Sequence, residues 1–502
     1  LQPLPSDPSA RQAPPGSGSR PDVVWALGLG SLTALCAWLL RQPRLYGDGS
    51  GLVSFAALGG GESYHHVLVV PLLRLATELL GRGPAGVLLA SHLVVASAAG
   101  VAVGCLFAAL RCLGLSRSRA VFGAALFATT PGAVFFATTF EVHVLHVAAV
   151  LATALVALVA PWRRPVLGVG LVGTCLAITY GTHVSTPLIG FGVLGLCQLG
   201  ARRVGRRFSL PALLFAVGPA LLTLLVVGMG LAGLIRTGRF DPLAVDREVE
   251  IVSSFYTGHA GALALAVHNI ALPLLLLTPL AIAGLLLGRL RGWHLATCLA
   301  LVVPSWVFFQ VWGVNERGAY LLPTAAFLAW PAALAWPTAN RGTLARALAL
   351  VVIAIQLTLA LVQWSAWNRG WNYDERVAAI DAALPEGGTV IRLWMDAPEV
   401  TIWRPDVAEL DVSRQISATM VSGAPPEAIA AAADAIDVIL AVEPVAMDVS
   451  YTARLDFHEA AGRLRYLSAL EEAVRQRFDV VEHRLGLWRF LTVTQPAGSS
   501  DR

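Results

Sequence analysis

Two carboxylates stand out in a chain that discards most of its acids where it is most apolar. Asp48 lies in the stretch Leu45-Tyr46-Gly47-Asp48-Gly49-Ser50-Gly51, among glycines that let a backbone turn sharply or approach a ligand closely. From Gly86 to Ile235 the single acid is Glu141. Ionisable groups that a lipid-embedded chain retains at definable depths mark candidate chemistry. A carboxylate at a membrane surface, its pKa raised by partial burial, is suited to act as a general base on a hydroxyl. The plainer reading of Asp48 is a turn-forming acid before glycine.

Histidines accompany both acids. His65 and His66 follow Asp48 in the same loop and could donate hydrogen bonds to a phosphate or a sugar hydroxyl, or serve a metal. Glu141 is followed by His143 and His146, which share a helix face at i and i+3. One carboxylate with two imidazoles suggests a divalent metal, but three ligands from one short helix make poor coordination geometry without outside help. The preferred reading is a substrate-binding carboxylate hydrogen-bonded by its neighbours, against that of a helix-start Glu favoured by the macrodipole. His183 repeats a polar group at the same expected depth. Arg317, beside Glu316 and shortly before Tyr320, could give a phosphate charge-assisted and bidentate contacts, or simply pair with Glu316.

The elements that must position these residues are membrane spans. Of 502 residues, 56% are hydrophobic and only 14% charged, with a mean hydropathy of +0.67. That composition is a polytopic α-helical membrane protein. All 36 basic residues are Arg, a bias read as high-GC coding in a bacterial genome. The six Cys fall in apolar segments or their inner ends, which argues against disulfides and Cys-based metal sites. The net charge of +4 does not point to nucleic acid, because the Arg clusters sit in short loops where membrane topology accounts for them.

Residues 1–21 are rich in Pro, Ser and Gly and read as a disordered cytoplasmic tail without a signal-peptide pattern. Apolar runs at 23–40, 86–110, 120–138, 142–160, 166–181, 183–200, 210–235, 266–288, 294–312, 319–336 and 345–364 predict about eleven transmembrane helices within a domain spanning 22–364. Counted from an inside N-terminus, the inner loops near 111–119, 163–164, 202–207, 289–291 and 341–346 all carry Arg and no acid. The long first loop 41–85, the corner at Glu141, the loop 236–265, the turn at 313–318 and everything after 365 then face outward. The fifth and sixth spans are separated only around Tyr180-Gly181-Thr182-His183. Between 66 and 81, Leu68, Leu72, Leu75 and Leu79 recur at helical spacing, predicting an amphipathic helix along the interface.

From about 365 acids become common. Helical stretches at Asp374–Leu384 and Pro426–Ala435 alternate with strand-like ones at Thr389–Trp394, Val438–Val442 and Val480–Thr494. The expectation is an extracytoplasmic soluble α/β domain over 365–502. It shows no phosphate loop, metal-ligand cluster or catalytic triad, so a packing or acceptor-binding role is expected.

The order of these features resembles the GT-C superfamily of integral-membrane glycosyltransferases, and within it the bacterial family related to a eukaryotic protein O-mannosyltransferase. Gly47-Asp48 is similar to that family's Gly-Asp-Ser-Gly-Glu. His66 and Pro71-Leu72 match its His-Pro-Pro-Gly-Tyr-Pro-Leu at the same spacing. Glu141-Val142 matches its Glu-Val-Tyr, with His143 in place of Tyr. The likeness covers about residues 23–336. Gly49 is extra, Leu52 stands where the family has a second loop acid, and Val67-Leu68-Val69-Val70 replaces Pro-Pro-Gly-Tyr.

The resemblance implies a GT-C-like fold in a bacterial inner membrane and transfer of a sugar from a polyprenyl-phosphate carrier to a hydroxyl acceptor on the outer face. The reaction would be an inverting single displacement. Asp48 would take the acceptor proton, and a cation such as Arg317 would stabilise the departing phosphate. His65, His66, Glu141, His143, His183 and Tyr320 would bind substrate. No cofactor is implied beyond the lipid-linked donor, and a divalent metal is left open. The competing functions are a transporter or flippase of lipid-linked substrates, disfavoured by the lack of repeated spans and of mid-membrane charges, and a non-catalytic scaffold.

Overall fold

The computed structural model describes residues 20–46, 49–58, 66–208, 277–286, 290–310, 319–336, 343–392, 400–411, 426–450 and 460–496. The expected span at 210–235, most of that at 266–288 and the loop 236–265 lie outside them. Among the described residues, five helices have the length and apolarity to cross a membrane, or six if one bent pair is a single span.

The centre of the helical body is built from α4 (Pro84–Cys112) and α7 (Val142–Val159). Against α4 lies α1 (Arg20–Leu39). Their axes meet closely because Gly30 faces Gly100 and Gly104. A Cβ at Gly100 would fall 2.6 Å from the carbonyl oxygen of Gly30. Small residues are what allow such an approach in lipid, where packing rather than the hydrophobic effect joins helices. At one end of this pair Asp22 accepts from Arg111 and Arg117, so the start of α1 and the loop after α4 share a side.

The expected span at 120–138 is two helices, α5 (Arg117–Ala128) and α6 (Pro131–Thr138), bent by 67°. Pro131 lacks an N–H and pushes Thr130 into an extended conformation, which ends α5. The groups freed by the break are recovered locally. Thr130 Oγ1 accepts from the Ala133 N–H, and Gln356 donates to Leu126 O at 3.0 Å and to Thr129 Oγ1 at 3.1 Å. Satisfaction of this kind is what makes broken helices tolerable in a membrane.

The expected spans at 166–181 and 183–200 appear as α8 (Pro165–Thr182), a 3-10 turn at Thr186–Ile189 and α9 (Gly190–Arg203). The break falls at His183, as the sequence suggested. Three further apolar helices follow, α10 (Leu277–Leu286), α11 (Trp293–Gln310) and α12 (Leu322–Leu334), with α12 buried nearly throughout. The last helix of the body, α13 (Thr343–Asn368), is peripheral. Its buried residues are Ala349, Gln356, Ala360 and Trp367, while Leu348, Val351, Ile355 and Val362 are exposed.

In the first loop, α2 (Gly49–Leu58) packs on α3 (Val69–Leu80) and α4. Val69, Val70, Leu73 and Thr77 of α3 face the protein, while Leu68 and the α3 residues Leu72, Leu75 and Leu79 are exposed. A helix that buries one apolar face and presents a second row of leucines suits the membrane interface.

Beyond α13 the chain forms a five-stranded sheet ordered β2-β1-β3-β5-β4, from β1 (Gly388–Arg392), β2 (Val407–Asp411), β3 (Val445–Asp448), β4 (Asp479–Leu485) and β5 (Trp488–Thr494). β2, β1 and β3 are parallel, and β5 and β4 add antiparallel. One face carries α14 (Tyr373–Ala383) over Val390, Ala446 and Phe490. The other carries α15 (Pro426–Leu440) and α16 (Ala460–Arg477) over Ile391, Met447 and Leu491.

Two strand expectations need correction. Val438–Val442 is not a strand: α15 runs through Leu440, and the strand comes after Pro444. A short β-branched run cannot be told from the end of a helix by periodicity alone, and here the Ala-rich helix before it propagates through. Val480–Thr494 is a hairpin, turned at Gly486-Leu487 with Gly486 at φ +58°.

Candidate functional site

The expected site residues that the structure describes come together; Asp48, His65 and Arg317 lie outside the described residues. Glu141 caps the start of α7 in an extended conformation, its carboxylate accepting the His143 N–H at 2.9 Å. The same carboxylate oxygen lies 3.3 Å from His143 Nε2. Glu141 is only 2% exposed, so a charge there depends on such partners.

α8 runs back against α7 and delivers Thr182, His183 and Ser185 to the same end. His183 is the hub. Its ring centroid lies 5.3 Å from His66, 5.4 Å from His143, 5.1 Å from His146 and 5.8 Å from Tyr320. Tyr320, from a 3-10 turn at Ala319–Leu321, also stands edge-on to His143 at 4.8 Å and stacks on Phe309. His66 is brought in because Leu68 N donates to Gly181 O at 2.8 Å. Gly181 has no Cβ there, where one would fall 2.6 Å from the Leu68 side chain.

The partners assign hydrogen-bonding roles to ring nitrogens of His66, His146 and His183. Thr182 O can only accept, so His66 Nδ1, 3.0 Å away, carries hydrogen. The Ser185 N–H can only donate, so His183 Nδ1 is its acceptor at 3.1 Å and the hydrogen sits on Nε2. Thr182 Oγ1 gives its hydrogen to Thr179 O and therefore accepts from His146 Nδ1 at 3.3 Å. His146 Nε2 then faces the Ser185 hydroxyl at 3.4 Å.

Among the described residues the site thus combines one buried carboxylate, four buried imidazoles, three of them with assigned hydrogen-bonding roles, and a tyrosine. Among the described residues, no three His, Cys, Asp or Glu side chains are disposed to hold a metal ion. His146 shares a face with His143, yet its ring nitrogens turn to Thr182 and Ser185. Those two hydroxyl residues were not among the expected site residues. Their signal was the cluster of polar residues Thr182, His183 and Ser185 at the break between two apolar stretches.

Two described residues, Tyr46 and Gly49, pack close to this corner. Tyr46 packs edge-on to Phe135 at 5.2 Å and Phe136 at 5.9 Å. Gly49 sits so close to Phe140, the residue before Glu141, that a Cβ would fall 2.1 Å from the Phe140 carbonyl oxygen.

No protein-family model matches the chain, and no curated protein matches it. Solved structures do. ArnT from Cupriavidus metallidurans bound to undecaprenyl phosphate superposes with a TM-score of 0.56 at 12% identity, over 96% of this chain and 100% of that one. The apo Archaeoglobus fulgidus oligosaccharyltransferase matches with a TM-score of 0.55 at 14% identity, over 95% of this chain and 75% of that one. The same oligosaccharyltransferase tethered with an acceptor peptide gives 0.51 at 15% identity, over 94% and 74%. Likeness at such identities is a likeness of fold. With its apolar helices and this architecture, the chain is an integral-membrane protein with the fold of the GT-C glycosyltransferases.

Proposed function

We propose that the chain is a glycosyltransferase that moves a sugar from a polyprenyl-phosphate-linked donor to a hydroxyl on a protein, lipid or glycan acceptor. What carries this reading is the gathering of Glu141, His66, His143, His183 and Tyr320 at one end of α7 and α8, in a chain whose fold is shared with a protein solved with undecaprenyl phosphate bound. The nearer likeness to the bacterial relatives of protein O-mannosyltransferases rests on motif order.

In this reading Asp48 is the general base. It removes the proton from the acceptor hydroxyl, whose oxygen attacks the anomeric carbon as the bond to the lipid phosphate breaks, inverting configuration. Single displacement needs one base and a stabilised leaving group, unlike glycoside hydrolysis with its two carboxylates. Arg317 receives the phosphate charge. Glu141 accepts from a sugar hydroxyl, and His65, His66, His143, His183 and Tyr320 orient the donor. The chain sits in the bacterial cell membrane with its N-terminus cytoplasmic and its α/β domain outside.

The deciding experiment measures transfer from a synthetic polyprenyl-phosphate sugar in membranes. Asp48→Asn and Glu141→Gln should each lower transfer strongly while thermal unfolding stays near wild type. Wild-type turnover by Asp48→Asn would remove Asp48 as the base.

A further inference from the structure

Both described flanks of the Asp48 stretch are held by the C-terminal part of the chain. On one side, the Arg44 guanidinium lies 3.3 Å from the Trp367 ring centroid and 5.0 Å from that of Trp371, and donates to Trp367 O at 3.4 Å. Arg44 is 6% exposed, so this is a desolvated cation on aromatic faces, the setting in which such contacts are strongest. Trp367 ends α13. Trp371 belongs to the core of the α/β domain, 4.9 Å from Trp488, whose indole donates to Asn372 O.

On the other side, α2 packs against the 3-10 turn Val400–Ile402 of the same domain, and Ile402 reaches the apolar core of the membrane body. That turn is secured from within the sheet. Val400 N donates to Glu409 Oε2 at 2.6 Å, and Glu409 is ion-paired with Arg392 in the interior.

The braced segment in turn lies along the approach to Glu141. Gln42 N donates to Thr138 O at 2.7 Å, Thr139 Oγ1 donates to Arg44 O at 2.8 Å, and Gly49 abuts Phe140. We infer that the α/β domain is a brace for the first loop, with Arg44 a positioning residue that sets the loop's register against Phe140–Glu141. The inference rests on the glycosyltransferase reading only for its catalytic consequence. A lysine would keep the charge but not the planar stack, so Arg44→Lys should behave like Arg44→Ala.

The test is hydrogen–deuterium exchange on the full chain in lipid nanodiscs. Arg44→Ala should speed exchange in Gly49–Leu58, a helix Arg44 does not need to touch, by about tenfold or more. The change should stay confined to residues 41–58 and 135–141. Ile402→Ala, which loosens the opposite side, should do the same and keeps the test decisive if Arg44→Ala fails to fold. Wild-type protection of Gly49–Leu58 in either folded variant overturns the brace, as does faster exchange spread evenly over the membrane body. If the chain transfers sugar, Arg44→Ala should lower kcat about tenfold with the donor KM unchanged, which a general loss of folded protein would not produce. Should wild-type protein transfer nothing while exchange responds as expected, the enzyme reading fails and the brace stands.

Discussion

Replacing Gly49 by alanine is a small perturbation that should disable the site without removing a polar side chain. A Cβ at Gly49 would lie 2.1 Å from the carbonyl oxygen and 3.0 Å from the carbonyl carbon of Phe140. These are backbone atoms, so relief must come from parting the two segments rather than from a side-chain rotation. Restoring ordinary van der Waals separation takes about 1 Å, in a close-packed interior that transmits such shifts. Phe140 leads directly into Glu141 and Gly49 directly follows Asp48 in sequence, so the displacement is passed to both chain segments that carry the carboxylates. A misplacement of about 1 Å costs on the order of 10²-fold in rate, or about 2.7 kcal/mol in the barrier.

Gly51 supplies the control, because a Cβ there meets nothing within 4 Å. In the same helix alanine is favoured over glycine by about 0.5–1 kcal/mol. The assay is release of labelled sugar from a synthetic polyprenyl-phosphate donor in proteoliposomes, with thermal unfolding alongside. Gly49→Ala should lose turnover about a hundredfold, and Gly51→Ala should retain it with an equal or higher unfolding temperature. Turnover of Gly49→Ala within threefold of wild type, or an equal loss in Gly51→Ala, would refute the argument from close approach.

Three further expectations reach other parts of the molecule. Gln356→Leu removes the two hydrogen bonds that repair the α5–α6 break, each worth about 0.6–1.7 kcal/mol in a membrane; equilibrium unfolding in mixed micelles should show a loss of about 1–3 kcal/mol, and an unchanged midpoint would mean the break needs no repair. Hydrogen bonds from Arg489 above all, and then Arg475, outweigh desolvation and lower the Glu482 pKa from the ordinary 4.5 to about 2. A depressed carboxylate stabilises the fold above the unfolded value and loses that contribution as pH falls toward 2. The fluorescence-detected unfolding temperatures of wild type and Glu482→Gln should therefore differ at pH 6 and converge between pH 4.5 and 2; a gap that persists to pH 2 contradicts this. For topology, a cysteine placed at the exposed Asp406 should react with an impermeant maleimide in intact cells, whereas one at Arg163 should react only after permeabilisation. The reverse pattern would overturn the orientation.

The residues gathered around His183 were legible because lipid is an unforgiving solvent, while Asp48, His65 and Arg317 lie outside the described residues. Glu141 could be singled out from its isolation among apolar residues, and His183 from its position at a break between two runs. What lay beyond reach was the choice of partner. His143 and His146 at i and i+3 read as sharing one helix face beside Glu141, yet α8 assigns them different work, since Thr182 and Ser185 engage His146 while Glu141 engages His143. Gly49 stood out only as a departure from a motif, and the packing against Phe140 gives that glycine its reason. Pro131 was visible inside the run 120–138, but hydropathy does not register a bend. Gln356, the residue that makes the bend tolerable, is more than 200 positions away. The α/β character after 365 followed from returning acids and alternation, whereas the strand at Val445–Asp448 was obscured by the helix that precedes it.

The buried residues of α13 have a bearing on how the molecule could be rebuilt. Ala349, Gln356, Ala360 and Trp367 recur at intervals of seven, four and seven, which keeps them on one stripe of the helix. Only four residues separate this rod from α14, so the sheet inherits its heading from the phase of a membrane helix rather than from a pliable tether. One residue inserted between Gln356 and Trp367 would turn everything beyond it by about 100° and advance it by about 1.5 Å. Trp367 would swing off Arg44 while Gln356 stayed in place. A chimera that transplants the α/β domain onto another membrane body would have to be spliced in whole helical turns.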